Sequence, residues 1–134
     1  MATTTATITL SSADLTGDAL ALSTTATLSK AGSTTGLDQT TGVARKTTTA
    51  TSAVTVYTAA DYTLTDAAHK VYIKNTSTVA TEYCTITVNS QEVGRLYSGD
   101  WLFLPWSAAT SADVKVTPSV ATTFTFEHAL IYHS

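Results

Sequence analysis

The sequence predicts an all-β chain: an antiparallel β-sandwich, jelly-roll-like, with an extended Thr-rich N-terminal segment. Three observations lead there. Thirty-one of the 134 residues are threonine, a β-branched residue that loses χ1 freedom in a helix and sits well on a pleated surface. Apolar residues recur with period two in at least seven segments separated by turn residues, the pattern of half-buried strands. Helix signals are nearly absent; the best candidate is Ser11–Leu15 with Gly17 as a stop, one turn at most.

Each element can be justified in order. Thr5 to Leu10 alternates, with Ile8 and Leu10 on one face, and Leu20 to Leu28 carries Leu20, Leu22 and Leu28 at even spacing. Residues 29–42 hold Gly32, Gly36 and Gly42 among Ser and Thr and read as a long surface loop or arm. Ala44 to Thr51 is a polar edge strand, and Ala53 to Thr58 alternates through Val54 and Val56. Lys70 to Asn75 directs Val71 and Ile73 inward. Asn75–Thr78 is a turn, and Glu82 to Val88 points Cys84, Ile86 and Val88 one way. Asn89-Ser90 joins that strand to Gln91–Tyr97 as a hairpin. Ser98-Gly99-Asp100 is a turn before Trp101–Pro105, which is apolar on both faces. Asp113 to Thr117 ends at Pro118, and Thr122 to Tyr132 aligns Phe124, Phe126, Leu130 and Tyr132. Eight to ten short strands of this kind argue a sandwich or barrel. The expected core is Val71, Ile73, Ile86, Val88, Val114, Val116, Phe124 and Phe126. Residues 1–50 form N-terminal strands and an arm that packs on the main domain or a neighbouring subunit, and residues 51–134 form the sandwich.

Composition narrows function. Only 13% of residues are charged and the net charge is −3. With Arg45-Lys46 the only adjacent basic pair, binding to nucleic acid by phosphate neutralisation is disfavoured. No apolar run approaches the ~18 residues of a membrane-spanning helix, and Met1–Thr9 lacks the charged and apolar regions of a secretory signal. Cys84 is the single cysteine, so no intrachain disulfide forms. It reads as a small buried hydrophobe rather than a reactive thiol, because no basic residue adjoins it. The chain looks made in a reducing cytosol.

Catalytic or metal chemistry finds no foothold. His69, His128 and His133 lack metal-ligand spacing. Glu127 and His128 are adjacent on a strand and so point to opposite faces. Asp61, Asp66, Asp100 and Asp113 occupy turn-like positions where the side chain bonds nearby backbone. Asp100 with Glu127 is the one carboxylate pair a glycosidase reading could invoke, and nothing in the sequence demands it. No loop carries a calcium-binding set of acids. The expectation is no enzyme, no cofactor and no metal.

The aromatics carry the most information. Trp101, Phe103 and Trp106 lie close together with Tyr97 just before them. One face of Trp101–Leu104 must fill the core. The other needs a cover, either the N-terminal segment or another subunit. A row of exposed aromatics could alternatively stack on sugar rings. Interface candidates are therefore Tyr97, Trp101, Phe103 and Trp106, together with Ile8 and Leu10, whose strand rhythm requires a partner surface, and Arg45.

Three stretches carry a resemblance when taken together: GLDQTTGVARKTTT at 36–49, KVYIKNTSTVATEYCTITVN at 70–89, and LYSGDWLFLPW followed by DVKVT and FEHALIY. This set resembles small β-sandwich virion proteins of tailed bacteriophages, in particular capsid decoration or head-associated proteins. In those, a strand ending in I-x-N-T leads to a hairpin, and a loop with Gly and an acid precedes an aromatic strand ending in Pro. Here the matching residues are Ile73, Asn75, Thr76, Gly99, Asp100 and Pro105. The Thr-rich N-terminal strands depart from a bare jelly roll. The resemblance implies a non-enzymatic capsid decoration (cement) protein, made in the host cytoplasm and located in the virion, that bridges and stabilises the major capsid protein shell. Its partners would be the major capsid protein and itself, as a homo-oligomer with a trimer favoured, and neither nucleic acid nor membrane. The alternatives are a tail- or fibre-associated receptor- or glycan-binding module, and a carbohydrate-binding module attached to an enzyme.

Overall fold

The computed structural model describes residues 3–15, 17, 19–64 and 67–134. The chain is all-β. Its strands are β1 (Thr5–Ser12), β2 (Leu20–Thr27), β3 (Gln39–Thr40), β4 (Ala44–Thr48), β5 (Val54–Tyr57), β6 (His69–Asn75), β7 (Cys84–Val88), β8 (Gln91–Leu96), β9 (Trp101–Trp106), β10 (Val114–Pro118) and β11 (Phe124–Tyr132). One sheet runs β5-β10-β7-β8. The other runs β3-β11-β6-β9, with β4 also paired to β11, so that β3 and β4 share one edge of that sheet. All pairings are antiparallel. From β4 onward, every connection crosses between the two sheets except the β7–β8 hairpin. Residues 39–48, which the sequence reading assigns to the N-terminal segment, are thus hydrogen-bonded into the sandwich, while β1 and β2 form a separate two-stranded ribbon.

The core lies between the sheets because period-two alternation turns one face of each strand inward. Val71, Ile73, Phe124, Phe126 and Leu130 meet Cys84, Ile86, Val114 and Val116 there. Val88 packs against this cluster from its margin. Trp106 and Tyr57 extend the core into an aromatic group with Tyr62 and His69, whose ring centroids stand about 6 Å from that of Trp106, within the range of edge-to-face contacts.

Three local features depart from simple alternation. Two residues of β5 oppose one of β10 where the register shifts between Val114 and Lys115. This bulge turns Tyr57 inward to 4% exposure and leaves Val54 and Val56 half-buried, so the buried anchor is Tyr57 rather than the two valines. The 29–42 stretch is no free loop. Ser29 bridges Gly36 about a turn with Gly32 at φ +63, and Leu37 is 1% exposed. The turn of helix expected at Ser11–Leu15 is absent. Ser11 and Ser12 complete β1, and Ser12 Oγ accepts a hydrogen bond from the Leu15 amide at 3.1 Å, which closes a bend instead. The helical turn found among the described residues is the 3-10 segment Ala59–Asp61. The Asn89-Ser90 hairpin has φ of 51 and 60 at its two central residues, the doubly left-handed turn that matches strand twist.

Truncating Phe126, which is fully buried, to Ala is expected to cost about 3–5 kcal/mol. Urea unfolding followed by far-UV circular dichroism measures this. Asn75→Leu removes the donor held by the buried Leu96 carbonyl and the partly buried Glu82 carbonyl and is expected to cost about 2 kcal/mol despite adding apolar volume.

Candidate functional site

The apolar strand β9 alternates cleanly. Leu102, Leu104 and Trp106 face the core, and Trp101, Phe103 and Pro105 face outward. Antiparallel register with β6, β11 and β4 arranges the outer face of this sheet in rows. Trp101 stands beside Lys74, Glu127 and Arg45, Phe103 beside Tyr72 and Ala129, and Pro105 beside Lys70 and Ile131. The Arg45 guanidinium meets the Glu127 carboxylate at 3.1 Å. Burial, with the Glu127 charge beside it, pushes the Tyr72 phenol up. Burial alone lowers Lys70, whose ammonium donates to the Ala68 carbonyl at 2.7 Å.

The ribbon covers part of this face. Register pairs Ile8 with Thr24, Leu10 with Leu22 and Ser12 with Leu20, so one side of the ribbon carries Ala6, Ile8, Leu10, Leu20, Leu22 and Ala26, with Ser12 and Thr24 among them. The other side carries hydroxyls, with Thr7 and Thr25 bonded to each other at 2.8 Å. Ala6, Ile8 and Ala26 look toward Phe103 and Pro105 across an apolar crevice of about 230 Å3, with Leu28 at its base. Beyond this crevice the same side continues in Leu10, Leu22 and Leu20, which are 51%, 46% and 39% exposed.

The interface candidates therefore divide. Trp101 and Phe103 share the outer face of the β9 sheet, where Trp101 is half exposed. Ile8 is half-buried over that face and Leu10 is exposed beyond it. Arg45 sits at the far end of the Trp101 row. Tyr97 belongs elsewhere: its ring lies 5.1 Å from that of Tyr83, which is itself capped by the Arg95 guanidinium at 5.0 Å. Trp106 is a core residue. It is 3% exposed, and its indole N–H donates to the Ala112 carbonyl at 2.8 Å, so it meets no partner. Its even spacing from Leu102 and Leu104 was the available signal. The four aromatics consequently form no continuous row. What the sequence did not reveal is the apolar crevice, which arises from a non-local approach of the ribbon to β9.

A second concavity is polar. A groove of about 440 Å3 is lined by Arg45, Lys74, Thr76, Ser77, Ser98 and Glu127, with Asn75 beneath it. Asp100 Oδ2 accepts from the Tyr97 amide at 2.9 Å, as expected of a turn aspartate, whereas Asp113 Oδ1 accepts at 2.9 Å from the Ala59 amide, 54 residues away in the chain, so its bond is non-local. Asp61 lies in the 3-10 turn, and Asp66 lies outside the described residues. Glu127 and His128 do point apart: Glu127 pairs outward with Arg45, whereas His128 Nδ1 lies 2.8 Å from the Tyr57 hydroxyl on the core side. His69 is fully buried, its Nε2 2.9 Å from the Tyr62 carbonyl oxygen and its Nδ1 without a partner among the described residues. Among the described residues, no group of three His, Cys, Asp or Glu side chains is close enough to hold a metal ion.

No known family model, curated protein or solved structure matches this chain.

Cys84 is fully buried, and burial pushes its thiol up to about 12. The folded protein is expected to resist a thiol reagent at about pH 8, where a free cysteine reacts readily, and to react once unfolded in urea. Burial, with Lys46 nearby, holds His128 below its ordinary value of 6.5. The unfolded chain then takes up the proton first as pH falls, so stability is complete above the ordinary value and declines until the lower folded-state value is reached. Urea midpoints measured from about pH 7.5 to about pH 5 should fall, and His128→Gln should flatten that decline.

Proposed function

We propose that this chain is a non-enzymatic structural protein of a bacteriophage virion, a capsid decoration protein that binds and stabilises the shell of major capsid protein. The observation that carries the reading is a neutral, hydroxyl-clad sandwich that bears an apolar ribbon. The reading draws support from the strand order from β4 to β11, first-eighth-third-sixth against second-seventh-fourth-fifth, which is consistent with a jelly-roll arrangement, an architecture used by viral capsid and lectin domains. Neutral hydroxyl surfaces lose less on desolvation than charged ones, which suits a protein that buries large areas against copies of itself and a shell. Soluble proteins that self-associate do so with closed symmetry, and a trimer fits the local three-fold positions of an icosahedral shell.

The alternative, a tail- or fibre-associated glycan-binding module, draws on one observation: the polar groove reaches Lys74, the cross-strand neighbour of the exposed Trp101. Titrating the purified protein onto undecorated capsids separates the readings. The decoration reading expects saturable binding at hundreds of sites per particle, with occupancy little changed between low and high salt because the contacts are neutral. Absence of capsid binding, together with glycan-array binding lost on Trp101→Ala, would establish the alternative in its place.

A further inference from the structure

The apolar side of the ribbon is half used. Its base half faces Phe103 and Pro105 of its own sandwich, whereas Leu10, Leu20 and Leu22 continue the same side into solvent, and Leu15 in the bend beyond is 70% exposed. A two-stranded ribbon is only marginally stable in water by itself, and every described residue of β2 is exposed. The crevice beneath the base half is equally incomplete. Its lining is almost wholly apolar and its volume is about 230 Å3, where apolar space of about 150 Å3 already admits a benzene-sized group.

We propose that the outer half of the ribbon packs on a second copy of this chain, its leucines entering the crevice between that copy's ribbon and Phe103. Three features select a second copy as the occupant. One molecule carries both parts, a bare apolar projection and a bare apolar recess, which are chemically complementary and lie at different places. Such a contact is heterologous, and repeated head to tail it forms a ring when the rotation between successive copies closes and an open filament when it does not. The new contact also continues one that exists within the chain, with the same side of the ribbon meeting the same strand β9. Finally, neither strand of the ribbon, Thr5–Ser12 or Leu20–Thr27, contains a charged residue. A ribbon lying on an anionic lipid surface would place Lys or Arg along its polar side, and one binding nucleic acid would need cations as well. The inference rests on the homo-oligomer part of the reading above and not on its capsid part.

The experiment uses the full chain. Molar mass is measured by light scattering from about 1 to about 100 µM, a range spanning ordinary oligomer affinities. The wild type should be a closed oligomer. L10D/L22D, which spoils the projection, and A26E, which puts a carboxylate into the recess, should each be monomeric with unchanged circular dichroism and melting. Ala26 is exposed and Leu10 and Leu22 lie outside the core. Should either variant lose its fold, L10N/L22N and A26Q replace them. An equimolar mixture of the two variants should recover a heterodimer of twice the chain mass, because one intact projection then meets one intact recess. An oligomeric L10D/L22D, or a mixture that stays monomeric, overturns the inference and leaves the homo-oligomer reading standing. A monomeric wild type overturns both. A monomeric wild type whose capsid binding is abolished by L10D/L22D places a different chain on the ribbon and likewise overturns it.

Discussion

The Asn75 side-chain amide is the point on which one end of the sandwich closes. Fully buried at the end of β6, it donates from Nδ2 to the Leu96 carbonyl at 3.0 Å and to the Glu82 carbonyl at 3.2 Å, and it accepts at Oδ1 from the Ser77 amide at 2.9 Å. Its backbone bonds Asp100 O and Gly99 N. One residue thereby ties β6 of one sheet to β8 of the other and to the turns that lead into β7 and β9. The side chain must donate twice and accept once within reach of its own backbone. Asp cannot donate when ionised, and Gln, one methylene longer, would not place its amide on the same three groups. A leucine would leave two carbonyls desolvated without a partner, which costs more than its added burial returns. The clamp also sets the outer surface. With the Gly99-Asp100 backbone held, and with Gly99 at φ +80 where a side chain would be strained, β9 starts in the phase that sends Trp101 outward and Leu102 inward.

Around that frame, polar contacts are made largely by hydroxyls. Thr7 meets Thr25 at 2.8 Å and Thr47 meets Thr125 at 2.9 Å, both across strand pairs. Thr76 Oγ1 donates to the Thr125 carbonyl at 2.7 Å. The ion pairs of the described residues, such as Arg45–Glu127 and Lys30–Asp38, keep one or both partners substantially exposed, and pairs of that kind contribute ~0–1 kcal/mol. Stability must therefore come from the core and from the sheet ladders. With only 13% of residues charged, much of the surface is left to hydroxyls, which are less strongly solvated than ions.

How much of this was legible in the sequence follows from which interactions are local. Strands β6, β7 and β11 were readable because each alternates over a buried face, and β9 because its run is apolar on both faces; the eight expected core residues all lie in or against the core. Tyr57 was not readable, because its inward turn depends on a bulge opposite β10, and nothing in Val54–Tyr57 marks the extra residue. Leu37 was hidden in a Gly- and Ser-rich stretch whose composition signals a loop, yet it is buried, and its amide donates to the carbonyl of the equally buried Leu28 at 3.0 Å. Trp106 was misplaced for a different reason. Proximity to Trp101 suggested a cluster, while parity along the strand had already put the two rings on opposite faces.

The ribbon shows how a weak element can still be specified. Its eight cross-strand pairs run unbroken from Thr5 with Thr27 to Ser12 with Leu20. Slipping one strand by a single residue would carry its large apolar side chains to the hydroxyl side. Register is therefore fixed by the pattern even though the strands are short and exposed. What the pattern cannot supply is burial. Packing over Phe103 and Pro105 reaches Ile8, Thr24 and Ala26, and among the described residues the leucines beyond have no cover. The ribbon excludes charge from both strands and places Leu10, Leu20 and Leu22 at the outer end of one side, while the opposite side carries hydroxyls and Ala21.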